Sequence, residues 1–193
     1  MDRYWLLTWT TYGTWLPGDE RGFVSPVRTG SGPERRHNQP GTPYDADMPG
    51  LQEAARRQLK CAPIYLGAFH AARLLAQFQE TARYRDWLLV AVAIMRSHVH
   101  LLVGVNGDPE PEEVLADFKS YGSRSLNRHW TKPASGTWWT QSGSKRKLPN
   151  EAAVRAAVEY VRNQPNALLI WIMDDETHRM QASDPGERGP LGP

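Results

Sequence analysis

The stretch Trp87–Val105, WLLVAVAIMRSHVHLLVGV, decides the fold. Residues 87–95 form an unbroken apolar run of strand length, and a second run at 98–105 follows after only Arg96 and Ser97. Two such runs so close together predict a hairpin of two buried strands turning at Arg96 and Ser97. Within the second run His98 and His100 flank Val99, and successive strand side chains point to opposite faces. The two imidazoles therefore share one face, as partly buried hydrogen-bonded residues or as a pair presenting lone pairs to one divalent cation.

The spacing on either side of this hairpin completes a pattern. Residues 3–12, RYWLLTWTTY, are aromatic and β-branched and predict a strand. Residues 64–84 return to helical spacing, with Leu66, Phe69, Leu74, Phe78 and Ala82 as an apolar stripe. Downstream, Asp108–Pro111 with Glu110 to Glu113 starts a helix expected to run to about His129, with Leu115, Phe118, Gly122 and Leu126 inward. Thr137–Leu148 predicts a fourth strand, Asn150 caps a helix over 151–163 that stops before Pro165, and Leu168–Met173 predicts a short extra strand. Strand, helix, strand, strand, helix, strand is the split βαβ order, so the expected class is α+β: a ferredoxin-like antiparallel sheet with helices on one face. One domain is expected over 1–173, with a Pro/Gly-rich insertion at about 17–50 and a flexible tail at 174–193.

The composition is that of a globular chain: 193 residues, 40% hydrophobic and 23% charged. No apolar run approaches the roughly 18 residues of a membrane span, and the N-terminus lacks a signal-peptide core. The single cysteine, Cys61, excludes an internal disulfide and suits a reducing compartment, so a cytoplasmic location is expected. The net charge of +2 conceals basic clusters at Arg35–Arg36, Arg56–Lys60, Arg124–His129 and Lys145–Lys147. Such clusters are either solvated faces or parts of a nucleic-acid groove.

In LADFKSYGSRSLNRHW, residues 115–130, Tyr121 sits among Lys119, Arg124 and Arg128. A phenol in basic surroundings is a candidate nucleophile for phosphodiester chemistry; it is equally a rim tyrosine using its hydroxyl as a polar handle. Trp138 and Trp139, among eight tryptophans, lead into Lys145, Arg146 and Lys147. Aromatic platforms beside a basic groove are what single-strand binding uses, although adjacent strand residues face opposite sides and one of the two is expected in the core.

HVHLLV after an apolar strand, with FKSY on the next helix, resembles the single-tyrosine HUH transposases of the insertion-sequence-200-like group. The strongest likeness is to their REP-associated tyrosine transposase branch. YWLLTWTTYGTWLPGDERG, WWTQSGSKRKL and YVRNQPNAL support it, so that the resemblance covers most of 3–168. It implies that His98 and His100 ligate Mg²⁺ or Mn²⁺ and that Tyr121 attacks single-stranded DNA, leaving a 5′-phosphotyrosyl enzyme and a free 3′-hydroxyl. Lys119, Arg124, Arg128, Trp138, Trp139, Lys145, Arg146 and Lys147 are the expected DNA contacts. The implied partner is single-stranded or hairpin DNA, and the protein is expected to act as a homodimer or alone.

This family supplies a third ligand, a glutamine, glutamate or asparagine, about one helical turn after the tyrosine. Four residues after Tyr121 stands Ser125, a poor ligand, with Asp117 and His129 as substitutes. Two other readings stay open: a domesticated or inactive protein that binds hairpin DNA without cutting it, and a ferredoxin-like RNA-binding module.

Overall fold

A computed structural model describes residues 1–20, 26–27, 35–36 and 48–174. Its elements are β1 (Arg3–Thr10), β2 (Pro26–Val27), β3 (Arg35–Arg36), α1 (Pro49–Arg57), α2 (Ala68–Tyr84), β4 (Leu88–Ile94), β5 (His98–Val105), α3 (Pro111–Asn127), β6 (Ser144–Leu148), α4 (Glu151–Arg162) and β7 (Leu169–Ile172). Five strands form one sheet in the order β6-β1-β5-β4-β7, every pair antiparallel. Strands β1, β4, β5 and β6 keep the split βαβ order, and β7 extends the sheet beyond β4. The two-residue strands β2 and β3 pair separately. Most of the insertion expected at 17–50 and of the tail at 174–193 lies outside the described residues.

The sheet is covered on both faces, which is why β4 reads as a continuous apolar run with all seven residues buried. On one face Leu7, Trp9, Val99, Leu101 and Val103 pack against Leu74 and Phe78 of α2 and Phe118 and Leu126 of α3. On the other, Leu6, Ala91, Ala93 and Leu102 meet Ala157 and Val161 of α4. Alanines on that face of β4 let α4 lie close. The two crossover helices share one face, as the ferredoxin order requires; α4 takes the opposite one. Its route explains this, because α4 joins β6 at one edge to β7 at the other and must cross a face that α2 and α3 leave open.

Local chemistry sets the helix ends. Asn150 Oδ1 accepts a hydrogen bond from the backbone N–H of Ala153 at 2.9 Å, and Pro165 follows the end of α4. Gly122 sits where α3 crosses α2; a Cβ there would lie 3.1 Å from Leu74 Cδ2 and 3.2 Å from Phe78 Cε1. Its role is close packing.

Three expectations are corrected. Helix α2 starts at Ala68 rather than 64, because Gly67 takes an extended conformation at its cap, and Phe69 is 83% exposed instead of joining the apolar stripe. The fourth strand begins only at Ser144; residues 137–143 pair with the sheet's backbone at an isolated Thr11–Trp139 bridge, and Thr10 Oγ1 donates to Thr140 Oγ1 at 2.8 Å. Helix α1, which buries no side chain, was not anticipated, and it docks where Gly18 (φ +86°) accepts the Met48 N–H. Among the described residues no helix is long and apolar enough to cross a membrane.

Candidate functional site

His98 and His100 lie on β5 on the face covered by α4, opposite Thr10 and Thr8 of β1. Their ring centroids are 4.9 Å apart. Each Nδ1 is engaged by a hydroxyl: His100 by Thr8 Oγ1 at 2.8 Å and His98 by Ser97 Oγ at 3.0 Å. Partners at Nδ1 fix the ring plane and make Nε2 the atom that could face a cation. The turn carrying Ser97 is itself held, since its carbonyl accepts from Thr11 N–H at 2.8 Å and Thr11 Oγ1 at 3.0 Å, with Thr14 Oγ1 at 3.1 Å.

Burial, and then the neighbouring His98, lower the pKa of His100 to about 4. At neutral pH it is the uncharged imidazole that a cation requires.

The phenol facing this pair is Tyr160 of α4. Its Oη stands 3.5 Å from His100 Nε2, the two rings are 5.1 Å apart, and the side chain is 49% exposed. One turn later Gln164 donates from Nε2 to the Tyr160 carbonyl at 3.0 Å. This bond ties Gln164, just past the end of α4, back to the helix's last turn.

Tyr121 is a correction. It stands on α3, which packs on the other face, so the sheet separates it from His98 and His100. It lines an open groove with Gln77, Glu80, Thr81, Arg83 and Tyr84, under the Arg124 guanidinium 5.0 Å from its ring centroid. The substitutes proposed for its third ligand are on that same far side. Ser125 is buried, Asp117 pairs with Arg85 at 2.7 Å, and His129 Nδ1 lies 3.1 Å from the Ser125 carbonyl. None of the three meets the histidines.

The expected DNA contacts divide similarly. Trp138 and Trp139 are both buried, with their indole N–H groups donating to Asn127 Oδ1 at 2.8 Å and to the Lys119 carbonyl at 2.9 Å. They are core residues, because the segment is not a strand and does not alternate. Lys119 donates to the carbonyls of Thr140 at 2.7 Å and Ser142 at 2.6 Å, and burial, then Lys145, lower its pKa to about 8. Lys145 pairs with Glu112 at 2.6 Å, while Arg128 caps α3 on the far face. Lys147 is exposed but pairs in register with Trp5, on the α2–α3 side. Only Arg146, exposed and in register with Leu6, shares the histidine face.

Sequence reasoning missed Tyr160 and Gln164. Their signal lay in YVRNQPNAL, where a glutamine follows a tyrosine by one helical turn, the spacing that Tyr121 and Ser125 fail to supply. Among the described residues no cluster of three His, Cys, Asp or Glu exists. Two imidazoles held by Thr8 and Ser97 nevertheless suit a divalent cation that accepts nitrogen donors together with oxygen from a further group.

Residues 64–164 match the family described as "Transposase IS200 like". No curated protein matches the sequence. Among solved structures, a REP-associated tyrosine transposase bound to a REP hairpin is similar at 12% identity and a TM-score of 0.44, covering 82% of this chain. The chain spans 63% of the length of that protein. A protein from Deinococcus radiodurans R1, described as a candidate transposase, is similar at 17% identity and a TM-score of 0.40, covering 85% of this chain and 92% of its own.

Proposed function

The chain belongs to the IS200-like transposase family, and from that premise we propose that it cleaves and rejoins single-stranded DNA through Tyr160. His98, His100 and Gln164 would hold a Mg²⁺ or Mn²⁺ ion. The observation that carries this reading is the 3.5 Å approach of Tyr160 Oη to His100 Nε2 within one chain. When bound, the cation supplies Lewis-acid polarisation of the scissile phosphate and a template for its orientation.

The chain's own residues supply the rest. The phenolate of Tyr160 attacks phosphorus, the bond to the 3′-oxygen breaks, and a 5′-phosphotyrosine and a free 3′-hydroxyl result. The phenol proton leaves towards solvent, to which Tyr160 is open, and solvent returns a proton to the departing 3′-oxygen. Attack of the 3′-hydroxyl on the phosphotyrosine reverses the step, and the conserved bond energy removes any need for a nucleotide cofactor. Thr8 and Ser97 hold the imidazoles in register, and Arg146 offers a cation to the DNA backbone on the same face. DNA carrying palindromic hairpins is the substrate proposed, on the likeness to the REP-associated branch.

The test is incubation with single-stranded hairpin DNA and Mn²⁺ or Mg²⁺, followed by a denaturing gel. A covalent adduct is expected from the wild type and none from Tyr160→Phe; an adduct that persists in Tyr160→Phe refutes the nucleophile assignment. A hairpin mobility shift with no adduct from the wild type would identify a binding-only protein.

A further inference from the structure

The run between Lys60 and Gly67 lies at the end of the sheet that carries His98. It is tied there by Ile64 N–H to the Tyr12 carbonyl at 2.9 Å and by Leu66 N–H to the Arg96 carbonyl at 2.7 Å. Leu66 is buried in the α2–α3 core and Ile64 packs against it. Tyr65, between them, is absent from that core and is 56% exposed. The Arg96 guanidinium stands 5.8 Å from its ring centroid. Arg96 is itself exposed and precedes Ser97, the residue whose hydroxyl engages His98. Four residues on, Phe69 is the most exposed large apolar side chain described.

We infer that Tyr65 and Arg96 form a stacking platform for a base of the single strand next to the scissile phosphate, with Arg96 also neutralising a backbone phosphate. The inference rests on the reading of His98, His100 and Tyr160 as a site for single-stranded DNA. Its chemistry is independent of that site's metal. An exposed phenol ring with a guanidinium over it offers a π-face and a positive charge together, which is how sequence-tolerant single-strand binding is built. The covalent link from Arg96 through Ser97 to His98 fixes the platform's distance from the site. A duplex, whose bases are already stacked, gains nothing from the Tyr65 ring.

Fluorescence anisotropy with a labelled single-stranded oligonucleotide in EDTA tests this without catalysis. Tyr65→Ala is expected to weaken binding about tenfold, within the range that loss of one stacked base covers. Tyr65→Phe is expected to retain wild-type affinity. Arg96→Ala is expected to weaken binding and to reduce the slope of log K against log salt by about 0.7. Binding of the corresponding duplex should not change in Tyr65→Ala, and circular dichroism melts should confirm that each variant folds. Wild-type affinity in both Tyr65→Ala and Arg96→Ala overturns the platform, and an adduct still formed by the wild type then leaves the Tyr160 reading standing. If the wild type neither binds single strands nor forms an adduct, the platform falls with the reading beneath it.

Discussion

Tyr160 meets His100 at 3.5 Å across the α4 face of the sheet, whereas Tyr121 occupies a helix packed on the other face of the same sheet. The phenol and the imidazoles belong to one chain, so no exchange of helices between copies is needed to join them. Tyr160→Phe is therefore expected to lower adduct formation by on the order of 10³-fold or more. Tyr121→Phe should leave it within about twofold, on the same denaturing-gel assay. The reverse pattern would show that the chain acts through a different arrangement.

Thr8→Val removes the hydroxyl that engages His100 Nδ1 while keeping the side chain's shape. Loss of a partner of this kind typically costs 10- to 100-fold in metal affinity. Titration of Mn²⁺ against the variant, read as free Mn²⁺ by electron paramagnetic resonance, should show a fall in that range. Unchanged affinity would mean that the ring is held by packing alone.

Acid should destabilise the metal-free protein through His100. Its pKa is about 4 folded against an ordinary 6.5, so on acidification the unfolded chain takes up the proton first. Stability then falls as the pH drops from about 6.5 to about 4 and levels off below, a loss of about 3 kcal/mol. Urea unfolding in EDTA across that range measures it, and His100→Asn should flatten this part of the profile.

Trp139 is expected to matter for folding rather than for DNA. Its indole lies edge-on to Trp9, 6.1 Å between centroids, and its N–H donates to the Lys119 carbonyl at 2.9 Å. Trp139→Ala should cost about 3–5 kcal/mol in urea unfolding. Single-strand affinity of the remaining folded protein should be unchanged.

What the sequence disclosed is tied to short-range pattern. Two apolar runs around Arg96–Ser97 specify a buried hairpin, and alternation along β5 puts His98 and His100 on one face without knowledge of anything distant. Which helix covers that face is a long-range matter. Helices α2 and α3 are bound to one side by right-handed crossovers between strands. Helix α4 carries an amphipathic stripe no different in kind, and its side follows from the edges it connects. The basic residues around Tyr121 suggested a phosphate site, yet Asp117, Glu112 and backbone carbonyls use several nearby cations for packing. Trp138 and Trp139 misled because a strand was expected where the chain only touches the sheet.

The position of α4 between β6 and β7 also orders the events of biosynthesis. The histidines leave the ribosome about sixty residues before the tyrosine they face, and β7, which bounds α4 at the far edge, later still. A chain that stops anywhere ahead of α4 contains the β4–β5 residues with both imidazoles but lacks Tyr160. On the proposed reading of Tyr160 as nucleophile, the site is complete only once α4 has been made.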